Sequence, residues 1–136
     1  MMIESKILSL LQKKVTEVVG KSYKVKYVNT NIGNIDKFWE IVYIPNNIEN
    51  EFWDGGKTYQ GILRLILHWP QDNKGVYKPM EEVERIADGF HKGLELFDDE
   101  NQIKVVITDN PDCTNIIEDE GKLLIPLTIK YLCFNL

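Results

Sequence analysis

Two histidines and two cysteines are the side chains of this sequence best suited to metal binding or nucleophilic catalysis. Each stands alone, without the HxxxH, HExxH, CxxC or Cys–His spacing that brings two ligands, or a nucleophile and its base, together. His68 closes an apolar run, and His91 lies beside Phe90 in a helical pattern. We interpret them as a sheet-edge and a helix-surface histidine, and we predict no catalytic, cofactor-binding or metal-binding residues.

The cysteines, Cys113 and Cys133, lie twenty positions apart in the sequence. No basic, apolar and small-residue pattern typical of an export signal precedes the first periodic segment. We therefore expect two free thiols in a reducing cytoplasm, with a disulfide as the alternative.

Two acidic clusters offer carboxylates of the kind that bind calcium, at Asp98–Glu100 and Glu118–Glu120. Neither follows the alternating ligands and central glycine of a calcium-binding loop. We interpret the first as the end of a helix and the second as a solvated turn. The Asp54–Lys57 stretch lacks the glycine spacing of a phosphate loop and is interpreted as a turn.

Composition limits the class of protein. The chain has 136 residues, 16 basic and 21 acidic, for a net charge of -5. This length suits one domain, 1–136. The basic residues are scattered, which argues against nucleic acid as the main partner, since phosphate binding requires clustered Lys and Arg. No apolar run approaches the roughly 18 residues that a membrane span requires.

Hydrophobic periodicity predicts the elements that position these residues. Apolar spacing of three and four predicts helices, and apolar alternation predicts strands. Pro126 implies an edge position or a bulge, and the near-continuous apolar run before Pro70 implies a central strand covered on both sides. The predicted elements are a helix over 3–19, strands over 23–28, 38–44 and 59–69, a helix from Pro79 to about Phe97, and strands over 103–108 and 123–134.

Strands in runs with helices between the runs indicate an α+β fold. The predicted order is α-β-β-β-α-β-β, in one mostly antiparallel sheet of about five strands with both helices packed on it. A mixed sheet remains open.

Large apolar side chains occur in two segments that are predicted as loops. The polar stretch Asn46–Thr58 contains Ile48, Phe52 and Trp53. Trp69 ends the predicted strand just before Pro70, and Tyr77 lies in the loop that follows. Such residues either fold back onto the core or anchor a partner, because Trp and Phe are enriched at protein interfaces. We take these five as candidate protein-interface residues. With 10% aromatic residues and no catalytic cluster, an assembly component is favoured over an enzyme.

The centre of the chain resembles the small tail terminator and tail-completion proteins of long-tailed bacteriophages. The resemblance lies in an order of features that extends in outline over most of the chain. These features are a polar turn (Gly56, Lys57, Thr58), the apolar strand Gly61–Leu67, the Trp69–Pro70 exit, a loop with Gly75, and a helix that carries Ala87–Asp88 and ends near Phe97.

This resemblance implies a structural protein of a phage or prophage, with a sheet and two helices and no catalytic residues. Such proteins form a ring, typically a hexamer, that caps the tail tube, stops its polymerisation and presents a surface for head attachment. The implied partners are further copies of the chain, the tail tube protein and a head–tail connector or neck protein. There is no cofactor and no membrane, and DNA only passes through the lumen. The implied locations are the bacterial host cytoplasm during assembly and then the virion tail.

The net charge agrees with such a role, and so do the long predicted loops, which could project from the sheet to contact neighbouring protomers. A ring of acidic protomers would repel the DNA in its lumen. The alternative is a small ligand-binding or enzymatic α+β domain, for which Arg64, His68 and Asp88 are the polar candidates near apolar surface.

Overall fold

The computed structural model describes residues 4–51 and 57–135, with side chains described for 4–45 and 58–135. Two helices and eight strands follow one another in the described chain. They are α1 (Glu4–Val19), β1 (Lys24–Lys26), β2 (Phe38–Glu51), β3 (Lys57–Pro70), α2 (Tyr77–Asp88), β4 (Glu95–Asp98), β5 (Ile103–Ile107), β6 (Asp112–Cys113), β7 (Ile117–Asp119) and β8 (Lys122–Asn135).

Helix α1 forms where the sequence places an apolar residue every four positions. Ile7, Leu11, Val15 and Val19 are all buried on one side of it, because residues four apart lie on one helix face. Gly20 ends the helix with a φ of 69° and donates its N–H to the Thr16 carbonyl at 3.0 Å. This left-handed cap is least strained for glycine.

The sheet is built around β3 and β8, in the order β1-β2-β3-β8-β5-β4. β3 and β8 are antiparallel along their whole length, from Lys57 opposite Asn135 to Pro70 opposite Lys122. β6 and β7 pair with β8 beyond the end of β5. β1 and β2 are parallel, so the sheet is mixed.

One face of this sheet, which we call the inner face, lies under the helices and forms the core. Its residues are the odd-numbered positions of β3 and β8, because successive side chains of a strand point to opposite faces. Leu63, Leu65, Leu67, Ile125 and Ile129 are fully buried there. The α+β class is confirmed, as is the central position of β3.

The structure corrects the predicted strand count and order: the described residues form eight strands, where about five were expected. Helix α2 ends at Asp88, not near Phe97, and Leu94 and Phe97 belong to the turn before β4 and to β4 itself. Their apolar spacing continues the helical period, but Gly93 adopts a φ of 90° and turns the chain back. β6 and β7 are too short and too polar to give an alternating signal.

The segment Asn46–Thr58, predicted as a loop, is also corrected. β2 continues to Glu51 and β3 begins at Lys57, with a register irregularity between Asn46 and Asn50. The polar ends of β2 and β3 gave no strand signal in the sequence. Strand pairing depends on backbone hydrogen bonds, so a hairpin can extend through residues that show no apolar alternation.

Pro126 lies in a strand with neighbours on both sides. Its carbonyl accepts the Thr114 N–H at 3.3 Å, so its nitrogen points to the same side, away from β3. β6 ends its pairing at Leu127 and β7 begins at Leu124, which leaves Pro126 at the interruption between them. The missing N–H therefore costs no ladder bond.

Within the residues that the structure describes, no helix is long and apolar enough to cross a membrane.

Candidate assembly surface

The second face of the sheet carries the even-numbered side chains of β2, β3 and β8 and is only half-buried. We call it the outer face. Its central apolar residues are Val42, Ile44, Ile62, Ile66, Leu124 and Leu132, and its polar residues include Gln60, Arg64, Thr128 and Lys130. The expected cover on both sides of β3 is therefore wrong for the described chain, because the helices cover only the inner face.

The outer face is apolar where a solvated sheet is usually polar. Ile44 is 38% exposed, and a groove of about 550 Å³ runs past Ile44, Ile62 and Leu132. Clustered, partly exposed apolar side chains of this kind are typical of a site of contact with another molecule.

Two polar atoms at the centre of the outer face are buried without a hydrogen-bond partner among the described residues. They are Arg64 Nε and Thr128 Oγ1, which belong to directly opposed residues of β3 and β8. Buried polar atoms are nearly always hydrogen-bonded, and leaving one unsatisfied costs about 1–3 kcal/mol. The half-buried Arg64 side chain carries further N–H donors that a partner could bind.

A charged cluster lies at the β1 end of the outer face. His68 Nε2 is 2.8 Å from Glu40 Oε1, Lys26 Nζ is 3.4 Å from Glu40 Oε2, and the Phe38 ring stacks on His68 with centroids 4.1 Å apart. Partial burial raises the pKa of Glu40, but the His68 hydrogen bond and the charge of Lys26 outweigh it and hold the pKa below its usual range.

Sequence reasoning missed Glu40 as the partner of His68. The two lie 28 positions apart, and only the β2–β3 register, with Phe38 opposite His68 and Glu40 opposite Ile66, brings them together. The cluster is an ion-pair and stacking network that fixes the end of the hairpin.

Trp69 and Tyr77 differ in what they offer a partner. Tyr77 is 77% exposed at the start of α2, so a partner can reach it. Trp69 is 4% exposed, packs against Tyr23 and lies under Lys37, whose Nζ is 4.2 Å from the ring centroid. In a single protomer Trp69 therefore belongs to the core, and it has little surface for an interface role.

The other three candidates fall in the hairpin tip. Phe52 and Trp53 lie outside the described residues. Ile48 belongs to β2, but its side chain is also outside the described part. Their interface role stays a prediction.

The remaining polar candidates are not drawn together. Cys113 and Cys133 are free thiols, and burial raises the pKa of both, to about 12 for Cys133. Asp98 accepts hydrogen bonds from the Asn101 backbone and side chain, so the first acidic cluster forms the β4–β5 turn instead of ending a helix. In the described ranges no three His, Cys, Asp or Glu residues are placed to hold a metal ion.

Comparison with known proteins decides the family. A family model described as "Phage tail terminator protein" matches residues 6–131, nearly the whole chain. The chain belongs to the phage tail terminator family. The family resemblance noted from the sequence is thereby confirmed, and it places the protein among the structural proteins of the phage tail.

Other comparisons add the fold. No curated protein sequence matches this terminator family member. One solved structure superimposes with a TM-score of 0.78, covering 98% of this chain and 96% of the other, at 12% sequence identity. At that identity the match shows a shared fold alone.

Proposed function

We propose that this phage tail terminator protein forms a hexameric ring that caps the tail tube, stops its polymerisation and provides the surface for head attachment. The observation that carries the proposal is the apolar outer face in a member of a structural tail family. It assembles in the host cytoplasm and remains in the virion tail.

The two sides of the protomer suit a cap. A terminator must bind the last tube subunits through one surface and present a different surface to any further tube subunit. The outer face, with apolar residues around Arg64, whose Nε has no partner among the described residues, is the surface we assign to the tail tube protein. The opposite side is closed by helices whose apolar residues face inward, so it does not repeat the surface that binds the tube. The neck protein and DNA in the lumen meet the remaining surfaces.

The proposal is tested by polymerising purified tail tube protein with and without this chain and measuring tube lengths by negative-stain electron microscopy. We expect wild-type protein to shorten the tubes and to appear as rings at their ends. Ile44→Asp, which puts a charge on the outer face, should abolish capping because the carboxylate would be desolvated against the tube.

The matched control is Val76→Asp. Val76 is exposed to a similar degree (41%) but lies before α2, away from the outer face. Tubes of unchanged length with wild-type protein, or equal loss of capping in both variants with folding intact, would contradict the proposal.

A further inference from the structure

Two opposite edges of the sheet carry net charges of opposite sign. Residues 21–37, which include the edge strand β1, contain four lysines and one acidic residue. We call this the basic edge; its lysines are Lys21, Lys24, Lys26 and Lys37. Residues 95–120 contain nine acidic residues and one lysine, and β4, β6 and β7 place them on the far side of β8. We call this the acidic edge.

These charges do not neutralise one another within a protomer. Four strands lie between β1 and β4, and strands lie about 4.8 Å apart, so β1 and β4 are about 24 Å from each other along the sheet. β6 and β7 pair directly with β8 and are one spacing closer to β1, at about 19 Å. Charges at those distances are screened at physiological ionic strength, where the Debye length is about 8 Å. Lys26 is held by Glu40 and Glu95 by Lys104 at 4.0 Å, whereas Lys21, Lys24, Asp99 and Glu100 have no ion pair within the described residues.

Each edge also has apolar surface and open backbone. Val28 is 43% exposed at the basic edge and Phe97 is 56% exposed at the acidic edge. β1 covers β2 only from Phe38 to Glu40, so from Ile41 onward β2 has no outer neighbour among the described strands. β4 likewise pairs only with β5 there. An open strand edge is a ready surface for another chain.

We infer that a second copy of this chain docks its acidic edge onto the basic edge of the first. The inference rests on the proposed ring and names the surfaces that join its protomers. Complementary charge on opposite ends of one molecule favours another copy over an unrelated partner, because every copy carries both halves of the contact. Such a contact is heterologous, and it repeats from copy to copy until a ring closes.

The experiment reverses charge at one edge at a time. Lys21→Glu with Lys24→Glu changes the net charge of the basic edge from +3 to -1, and Asp99→Lys with Glu100→Lys changes that of the acidic edge from -8 to -4 and makes its β4–β5 turn basic. Each double variant alone should lose assembly by about tenfold or more, because the reversed residues then face like charges at every contact. Light scattering gives the mass in solution, and capping of tail tubes reports assembly that occurs only on the tube.

An equimolar mixture of the two double variants is the decisive sample. One variant has an acidic patch at each edge and the other has a basic patch at each edge, so the two can alternate around a ring with an even number of protomers. We expect the mixture to recover wild-type mass or capping, and the quadruple variant to recover it within one chain. Higher salt should weaken the assemblies of the wild type, of the mixture and of the quadruple variant, because salt screens the charge contacts between protomers.

Charge-matched controls lie on the helices, outside the residues of both edges. Glu84→Lys with Asp88→Lys changes exposed residues of α2, and Lys13→Glu with Lys14→Glu changes adjacent lysines of α1. Both should assemble as wild type, and circular dichroism verifies that every variant is folded.

The inference is overturned if the edge variants assemble like wild type, or if the folded mixture and quadruple variant do not recover. In the second case the basic edge binds a different partner, such as the tube protein or DNA. Rings that form as designed but fail to shorten tubes would instead overturn the proposed function and leave the edge contact standing.

Discussion

The two faces of the central strand β3 differ in what they require of the protein. On the inner face Leu63, Leu65 and Leu67 are fully buried beneath the helices. On the outer face Ile62 and Ile66 alternate with them, are equally apolar, and remain half-buried. The protomer thus satisfies one apolar face by folding and leaves the other for a second molecule. The inner face should therefore govern stability, and the outer face should govern assembly.

The largest expected difference comes from truncating one residue on each face. Leu65→Ala should lower the free energy of unfolding by about 3 kcal/mol, because it removes a fully buried side chain and leaves a cavity. Ile66→Ala, its neighbour on the outer face, should cost about 1 kcal/mol, since water already reaches it. Chemical denaturation measures both, and equal losses would contradict the division of roles.

A close approach near the start of the same strand gives the next effect. A Cβ on Gly61 would lie 2.5 Å from Tyr131 Oη and 2.8 Å from the backbone carbonyl oxygen of Ile44. Tyr131 is buried and donates to Tyr43 Oη at 3.0 Å, so it has little freedom to move. Gly61→Ala should destabilise the fold by about 1–3 kcal/mol. Thermal unfolding tests this, and an unchanged melting temperature would show that the hairpin adjusts freely.

Arg64 offers a variant in which stability and assembly should change in opposite directions. Its buried Nε has no partner among the described residues, so Arg64→Met should leave stability unchanged or raise it by about 1 kcal/mol. Tube capping by the same variant should fall, because the donor for the partner is gone. If Arg64→Met is instead strongly destabilised, Arg64 serves the fold and not the partner.

The smallest effect concerns pH at the edge of the outer face. The pKa of Glu40 is below its usual 4.5 in the folded chain, so ionised Glu40 adds stability above that pH. This contribution, about 0.5–1 kcal/mol for a partly exposed group, should disappear as the pH falls through the lowered folded-state pKa. Unfolding free energies of wild type and Glu40→Gln should therefore differ at pH 7 and converge in acid. A difference that persists below the lowered pKa would contradict this reading.

The local sequence pattern was sufficient to predict the elements that bury a single apolar face. α1, β5 and β8 lie within one or two residues of their expected bounds, because each alternates or repeats apolar residues against polar ones. Pattern was insufficient where a period continued by coincidence, as at Leu94 and Phe97, and where polar backbone paired, as in β6, β7 and the hairpin arms. The family resemblance in the sequence predicted the class of function, but it did not predict which surfaces serve assembly.

The sequence by itself determined that this protein is an α+β domain with one apolar helix stripe, a doubly apolar central strand and no clustered catalytic residues. Only the tertiary structure decided which strands are neighbours. β8 comes from the end of the chain and lies between β3 and β5. This strand order places the lysine-rich segment at one edge of the sheet and the carboxylate-rich segment at the other. Periodicity acts over a few residues, whereas strand order depends on pairing between distant segments, so the assembly surfaces could be found only in the folded chain.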